Sequence, residues 1–290
     1  MGPISAPWTA VLSRGEYDLI LFAMVATLLA LLATLVRVRF TTQEAHGTFQ
    51  VASLTANAVV AIAAVSYVAV IAAHLLGYRE VDGVMQPLEG ARFAWALRYM
   101  DWAVTVPLLV LELVAISAIA EHVAVRVRRV GMVAAALMVI LGFLGGFVVA
   151  GGRDPAAYTL LGLASSVCFV TLYVMFFVVL RRSLPRLPGA ARKSYRAAVV
   201  VLLLTWFVYP IVYGFSGALA GAGVAVAGQL LLCAADMVAK IGFGTMVHRT
   251  AVLRSRNEED LDPSSVRRPR APANESVYVR DDRLVDFDED

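Results

Sequence analysis

Lys240 stands deep inside an apolar stretch, Ala222 to Val247, with Asp236 four residues before it. A lysine at membrane depth is costly and must be paired, neutralised or used covalently. A second apolar stretch, Phe93 to Ile119, carries Arg98, Asp101 and Glu112. Spacing turns these five residues into a site. Asp236 and Lys240 are i and i+4, so they share one helix face about 6 Å apart along the axis, and Arg98 and Asp101 are i and i+3. Asp101, Thr105 and Glu112 also align, because eleven residues make about three turns plus about 20°, which puts Glu112 about 16 Å further along the same face. With both aspartates ionised, Arg98 and Lys240 balance them. Glu112 is then the odd carboxylate, and among Leu108, Leu109, Val110, Leu111 and Leu113 it is expected to be protonated at rest. One such pair would read as an ordinary interhelical contact. Five residues in this register read as a site that holds and moves charge.

The elements that must position them follow from composition. Of the 290 residues, 60% are hydrophobic and only 16% charged, unlike a soluble domain of this size. Seven apolar segments emerge, each near the roughly 20 residues that cross a bilayer: Tyr17 to Val36, Val51 to Leu76, Phe93 to Ile119, Gly131 to Ala150, Ala156 to Leu180, Ala197 to Phe215, and Ala222 to Val247. Backbone facing lipid must satisfy itself within a helix. The expected fold is therefore an all-α membrane protein, a seven-transmembrane-helix bundle. Basic residues concentrate in the connections after the first, third and fifth segments and after the seventh; the fifth connection alone holds Arg181, Arg182, Arg186, Arg192, Lys193 and Arg196. The positive-inside rule then puts the N-terminus outside and the C-terminus in the cytoplasm, in a cell (inner) membrane.

The first 15 residues lack the basic start and long apolar core of a cleavable signal peptide. Ala6 stands where N-myristoylation needs Ser or Thr. Cys168 and Cys233 lie within expected helices and read as packing residues, not a disulfide. Residues 1–253 form the expected transmembrane domain. Residues 254–290, with seven Arg against eleven Asp and Glu, form a charged, disordered cytoplasmic tail in which Tyr278, Val279, Leu284, Val285 and Phe287 are available for docking. No basic patch with interleaved aromatics points to nucleic acid, and no metal site is expected.

Taken together, Arg98-Tyr99-Met100-Asp101-Trp102-Ala103-Val104-Thr105 through Glu112-Leu113, and Asp236-Met237-Val238-Ala239-Lys240-Ile241-Gly242-Phe243-Gly244, resemble the microbial rhodopsins. Trp206-Phe207-Val208-Tyr209-Pro210, with Tyr213 one turn on, resembles that family's aromatic wall. The resemblance spans all seven segments and leaves out the tail. It implies all-trans-retinal bound covalently to Lys240 as a protonated Schiff base. The residues agree with it, since an aldehyde condenses with a desolvated lysine and Asp101 and Asp236 can balance the cation. Trp102, Trp206, Tyr209, Tyr213 and Pro210 would wall the chromophore, with Met138 and Gly142 as further pocket positions. Leu109 stands where members of the family tune colour, and a leucine implies green absorption.

The triad Asp101, Thr105 and Glu112 is similar to that of bacterial outward proton pumps such as proteorhodopsin and xanthorhodopsin. It implies Asp101 as proton acceptor, Glu112 as donor, Thr105 as a hydrogen-bonding gate beside Asp101, Asp236 as second counterion and Arg98 as the outer switch. The protein is thus expected to be a light-driven transporter or photoreceptor and no enzyme, with the lipid bilayer and protons as partners and a homotrimer or homopentamer as its assembly. Ser66 occupies the place of the proteorhodopsin histidine. No acid lies between Gly214 and Gln229 to release protons, and Leu161 replaces a family aromatic, or the glycine that opens a window for a carotenoid antenna, which argues against an antenna. Asn57, near Thr55, is positioned either to bond Glu112 or to make an ordinary helix–helix hydrogen bond. A slow photosensor signalling through its cytoplasmic side is the alternative. Channel, chloride-pump and sodium-pump readings lack their acidic row or acceptor substitutions.

Overall fold

In each of the seven apolar segments the backbone bonds to itself as a helix. A computed structural model describes residues 6–41, 44–45 and 49–261. Its helices are α1 Arg14–Thr41, α2 Gln50–Leu76, α3 Phe93–Ala115, α4 Glu121–Phe143, α5 Pro155–Ser183, α6 Gly189–Trp206, α7 Val208–Ala218, α8 Ala222–Met237 and α9 Phe243–Leu261. They make seven rods, because α6 and α7 are two halves of one broken helix, and α8 and α9 are joined by a π turn, Val238–Gly242. Successive rods pack side by side and the ring closes where α8 meets α1. Six rods are long and apolar enough to cross a membrane. The remaining one, α3, carries Arg98, Asp101 and Glu112 inward, and all three are buried.

Local chemistry explains the breaks. Asp154 accepts from the backbone of Ala156 at 2.9 Å ahead of Pro155, so α5 starts with both a side-chain cap and a proline in its first turn. Pro210 has no N–H for the carbonyl of Trp206, and its ring crowds that carbonyl; α6 accordingly stops at Trp206. Large side chains such as Phe22, Phe40, Val65 and Leu204 point outward. Such a surface is a liability in water and the expected one in hydrocarbon.

Several boundaries differ from the hydropathy reading. The fourth helix starts at Glu121, ten residues before Gly131, and takes in Arg126, Arg128 and Arg129. The sixth starts at Gly189 and includes Arg192, Lys193 and Arg196, so the connection before it shrinks to 184–188. The third ends at Ala115, short of Ile119. Hydropathy marks only the part of a helix that hydrocarbon covers, whereas the backbone stays helical into the polar layer. The last helix runs to Leu261, and Arg254 on it donates to the carbonyl of Ile116 at 3.2 Å and stacks on Phe49 with 4.5 Å from guanidinium carbon to ring centre. The tail positions Tyr278, Val279, Leu284, Val285 and Phe287 lie outside the described residues.

One element has no counterpart in the hydropathy reading. Strands β1 Leu12–Ser13, β2 Tyr78–Val81 and β3 Val84–Pro87 form an antiparallel sheet in the order β1-β3-β2. Asp82 and Gly83 make the two-residue turn, both with positive φ (50° and 78°), which suits the right-handed twist of a hairpin. The sheet ties the start of α1 to the α2–α3 connection.

Candidate functional site

Four of the five charged residues, Arg98, Asp101, Asp236 and Lys240, meet where α3 faces the π turn between α8 and α9, and Glu112 lies apart, further along α3. Lys240 Nζ donates to Asp101 Oδ2 and, at 3.0 Å, to Asp236 Oδ1. All three residues are at most 2% exposed. Charges so buried are tolerated only when opposite charges and hydrogen bonds replace the lost water. Asp236 is correspondingly the most heavily bonded: Oδ1 also accepts from Trp102 Nε1 at 3.2 Å and from the Tyr209 hydroxyl at 3.0 Å, and Oδ2 accepts from the Tyr67 hydroxyl at 2.9 Å and Arg98 Nη1 at 3.2 Å. Asp101 is leaner. Its Oδ2 takes the lysine, and its Oδ1 has no hydrogen-bond partner among the described residues. The two aspartates are therefore unlike: one is locked by five donors, the other keeps a free lone pair beside the amine.

Arg98 sits above this pair as a fork. Its Nη1 also donates to the Tyr67 hydroxyl at 2.8 Å, and its Nη2 donates to Gln229 Oε1 at 2.9 Å and Cys233 Sγ at 3.4 Å. Tyr67, Gln229 and Cys233 did not stand out as site residues in the sequence. Gln229 and Cys233 precede Asp236 by seven and three residues, a spacing that puts them on its helix face.

Thr105 departs from expectation. Its hydroxyl donates to the backbone carbonyl of Asp101 at 2.9 Å, the usual i to i−4 bond of a helical threonine, and not to the carboxylate. Glu112 is fully buried, and neither carboxyl oxygen has a hydrogen-bond partner among the described residues, so the structure gives it no bond to Asn57.

Beside the ion cluster runs an apolar cavity. Trp102, Trp206, Tyr209, Pro210, Tyr213, Met138 and Gly142 all line it. Leu109 is buried without lining it, and Lys240 lines a second, smaller cavity. The link between the main cavity and the ions is Trp102 and Tyr209, which wall the one and bond Asp236 in the other. A side chain at Gly142 would put its Cβ 3.3 Å from Tyr99 Cε1, a tight approach that glycine avoids without any shift of the ring. Trp8, from the 3-10 turn Pro7–Thr9, stacks on Phe147 with ring centres 4.8 Å apart and forms part of the wall. Tyr158 and Tyr213 stack at 4.3 Å and bond each other's backbone carbonyls, tying α5 to α7. The helix α5 presents Gly162, not Leu161, to the cavity, and Leu161 packs toward Gly145. Gly162 is thus the α5 position that bears on a window at the cavity, and Leu161 is not.

A family model described as bacteriorhodopsin-like protein matches residues 18–253. Green-light absorbing proteorhodopsin from gamma-proteobacterium EBAC31A08 is 29% identical over 161 residues, 55% of this chain and 62% of that protein. The chain thus spans less than two thirds of the length of that relative. Cruxrhodopsin-3 of Haloarcula vallismortis is 29% identical over 200 residues, 66% of this chain and 74% of that one. Among solved structures, xanthorhodopsin, described as a light-driven ion pump with dual chromophore, superposes with a TM-score of 0.75 at 27% identity, over 86% of this chain and 98% of that one. A thermophilic rhodopsin superposes with a TM-score of 0.78 at 29% identity over the same shares.

Proposed function

The chain belongs to the bacteriorhodopsin-like family of multi-pass membrane proteins, and from that premise we propose that it is a light-driven outward proton pump. The observation that carries the reading is the asymmetry around Lys240. On one side its Nζ is shared by a lean Asp101 and a saturated Asp236; further along α3 lies Glu112, buried and without a hydrogen-bond partner among the described residues.

The residues present fit the family's retinal. The cavity offers flat aromatic walls at Trp102, Trp206 and Tyr209, a glycine where a side chain would intrude, and a polar end where Trp102 and Tyr209 bond the carboxylate that holds the lysine. Bound covalently at Lys240, all-trans-retinal would supply light absorption and a light-driven change of shape.

The rest falls to the protein's own groups. Lys240 Nζ holds the proton that is moved. Asp101 accepts it, having a free oxygen and no donor besides the lysine among the described residues. Asp236 stays ionised because Arg98, Tyr67, Trp102 and Tyr209 each stabilise its charge. Arg98 leans on both Asp236 and Gln229, so loss of negative charge at Asp101 frees it to favour Gln229 and the outer side. Glu112 returns a proton to Lys240 Nζ from the other end of α3, about 16 Å from Asp101 by helical rise. With the N-terminus outside and the C-terminus in the cytoplasm of a bacterial inner membrane, this order moves protons outward.

The test is light-induced pH change in cells expressing the chain with retinal added, with and without a protonophore. The reading expects acidification that Asp101→Asn abolishes, and a recovery that Glu112→Gln slows and azide restores. Turnover in seconds with no acidification would replace the pump by a photosensor.

A further inference from the structure

The smaller cavity lies on the opposite flank of Lys240 from the apolar one, between α1, α2 and the α8–α9 rod. Its walls run from Lys240, Ile241 and Val60 to Ser53, Thr41, Arg37 and His248. It holds space of the order of one water molecule. His248 is eight residues after Lys240, about 12 Å along the helix by its rise, and its ring is hydrogen-bonded at one nitrogen and faces an acid at the other. Nδ1 shares a hydrogen bond with Ser53 Oγ at 3.0 Å. Nε2 faces Glu44 Oε2 at 3.8 Å, near enough for a small rotation of that half-exposed carboxylate to close the contact. At that distance no hydrogen bond is made, and Nε2 has no hydrogen-bond partner among the described residues. Among the described residues, the charged groups facing the ring are Glu44, from the α1–α2 connection, and Arg37, from α1, whose Nη2 is engaged by Thr245 Oγ1 at 2.7 Å. An imidazole bonded to a hydroxyl at Nδ1, with an exposed acid within reach of its unpartnered Nε2, can pass protons, since it can take one up at Nε2 and give one up at Nδ1.

We propose that His248 is a proton relay between Glu44 at the surface and the cavity beside Lys240, giving the site a supply route that does not pass through Glu112. The inference rests on the pump reading above. Protons balance along the route. Glu44 picks one up from water and gives it to Nε2. Nδ1 gives its own to Ser53 Oγ while the serine hydroxyl releases one across the cavity to Lys240 Nζ, which has already lost its proton to Asp101, and tautomer exchange resets the ring. Glu112 lines neither cavity; His248 and Lys240 share one.

Two measurements decide it. In the full retinal-loaded chain, flash photolysis of Glu112→Gln isolates the recovery that bypasses Glu112. Adding His248→Gln is expected to slow that recovery about tenfold or more and to flatten its pH dependence between about pH 5 and 8. A double variant that recovers at the rate of Glu112→Gln at every pH overturns the proposal. Should His248→Gln misfold, Ser53→Ala removes only a hydroxyl and is expected to produce the same slowing; its absence counts equally against the relay. In the retinal-free chain, nitrogen NMR of the His248 ring is expected to follow pH, with a midpoint that moves in Glu44→Gln. A ring indifferent to both pH and Glu44 overturns the relay. Failure of the pump reading would show differently, as a parent chain without light-driven acidification, and would leave the ring measurement to decide whether this proton site exists.

Discussion

Replacing Arg98 by leucine tests whether the ion cluster is held as a unit. Arg98 is 1% exposed and makes four contacts: Tyr67 at 2.8 Å, Asp236 at 3.2 Å, Gln229 at 2.9 Å and Cys233 at 3.4 Å. Leucine fills most of the space but removes the cation, so Lys240 alone must balance Asp101 and Asp236, and Gln229 Oε1 loses its only donor among the described residues. Breaking a buried pair by removing one partner costs about 3–5 kcal/mol, because the other charge stays buried. Such a loss raises the unfolded-to-folded ratio roughly a hundredfold to several thousandfold. Arg98→Lys keeps the charge but cannot fork between Asp236 and Gln229, so it should fall between leucine and the parent. Unfolding of the retinal-free chain in mixed detergent micelles, followed by the fluorescence of its four tryptophans, reads the difference. If Arg98→Leu unfolds within about 1 kcal/mol of the parent, the cluster is held by packing alone and the charge argument is wrong.

Two further substitutions probe neighbouring claims. Thr105→Val removes a hydroxyl bonded only to the Asp101 backbone, so stability should fall by about 0.5–1.5 kcal/mol while light-driven acidification persists; its loss would mean that the hydroxyl reaches the Asp101 carboxylate in the working protein. Gly142→Leu places a branched side chain where a Cβ already lies 3.3 Å from Tyr99 and 3.7 Å from Ser165. Colour formation after adding retinal should become slower and less complete, and an unchanged rate and yield would take the chromophore out of this cavity.

Much of the site was legible in sequence because membrane depth makes charge conspicuous. Five ionisable residues on two apolar segments, in helical register, give Lys240 its two carboxylates from the sequence alone. Hydropathy could not show the partners that are neutral. Tyr67 and Gln229 look like ordinary helix residues, and only the closeness of α2, α3 and α8 turns them into ligands of Arg98. Thr105 shows the limit of register arguments: alignment put its hydroxyl beside Asp101, but a backbone carbonyl one turn away was the nearer acceptor. Gly162 shows another, since a one-residue slip on a helix rotates the side chain about 100° and exchanges a cavity position for a packed one. The hairpin is legible in principle, because Asp82-Gly83 between two short strand-like runs is a strong turn signal, though the helical patterns on either side of it are stronger. The π turn around Lys240 has no mark in the sequence at all.

The central claim is that a retinal pigment is attached at Lys240 and balanced by Asp101 and Asp236. The most direct measurement is reconstitution of the purified chain with all-trans-retinal, reduction of the adduct with borohydride and mass mapping of the labelled peptide. A coloured protein with its label on Lys240, and a Lys240→Ala variant that neither colours nor labels, is the predicted result. Colour that fails to form in the parent, or a covalent label that persists in Lys240→Ala, would contradict it.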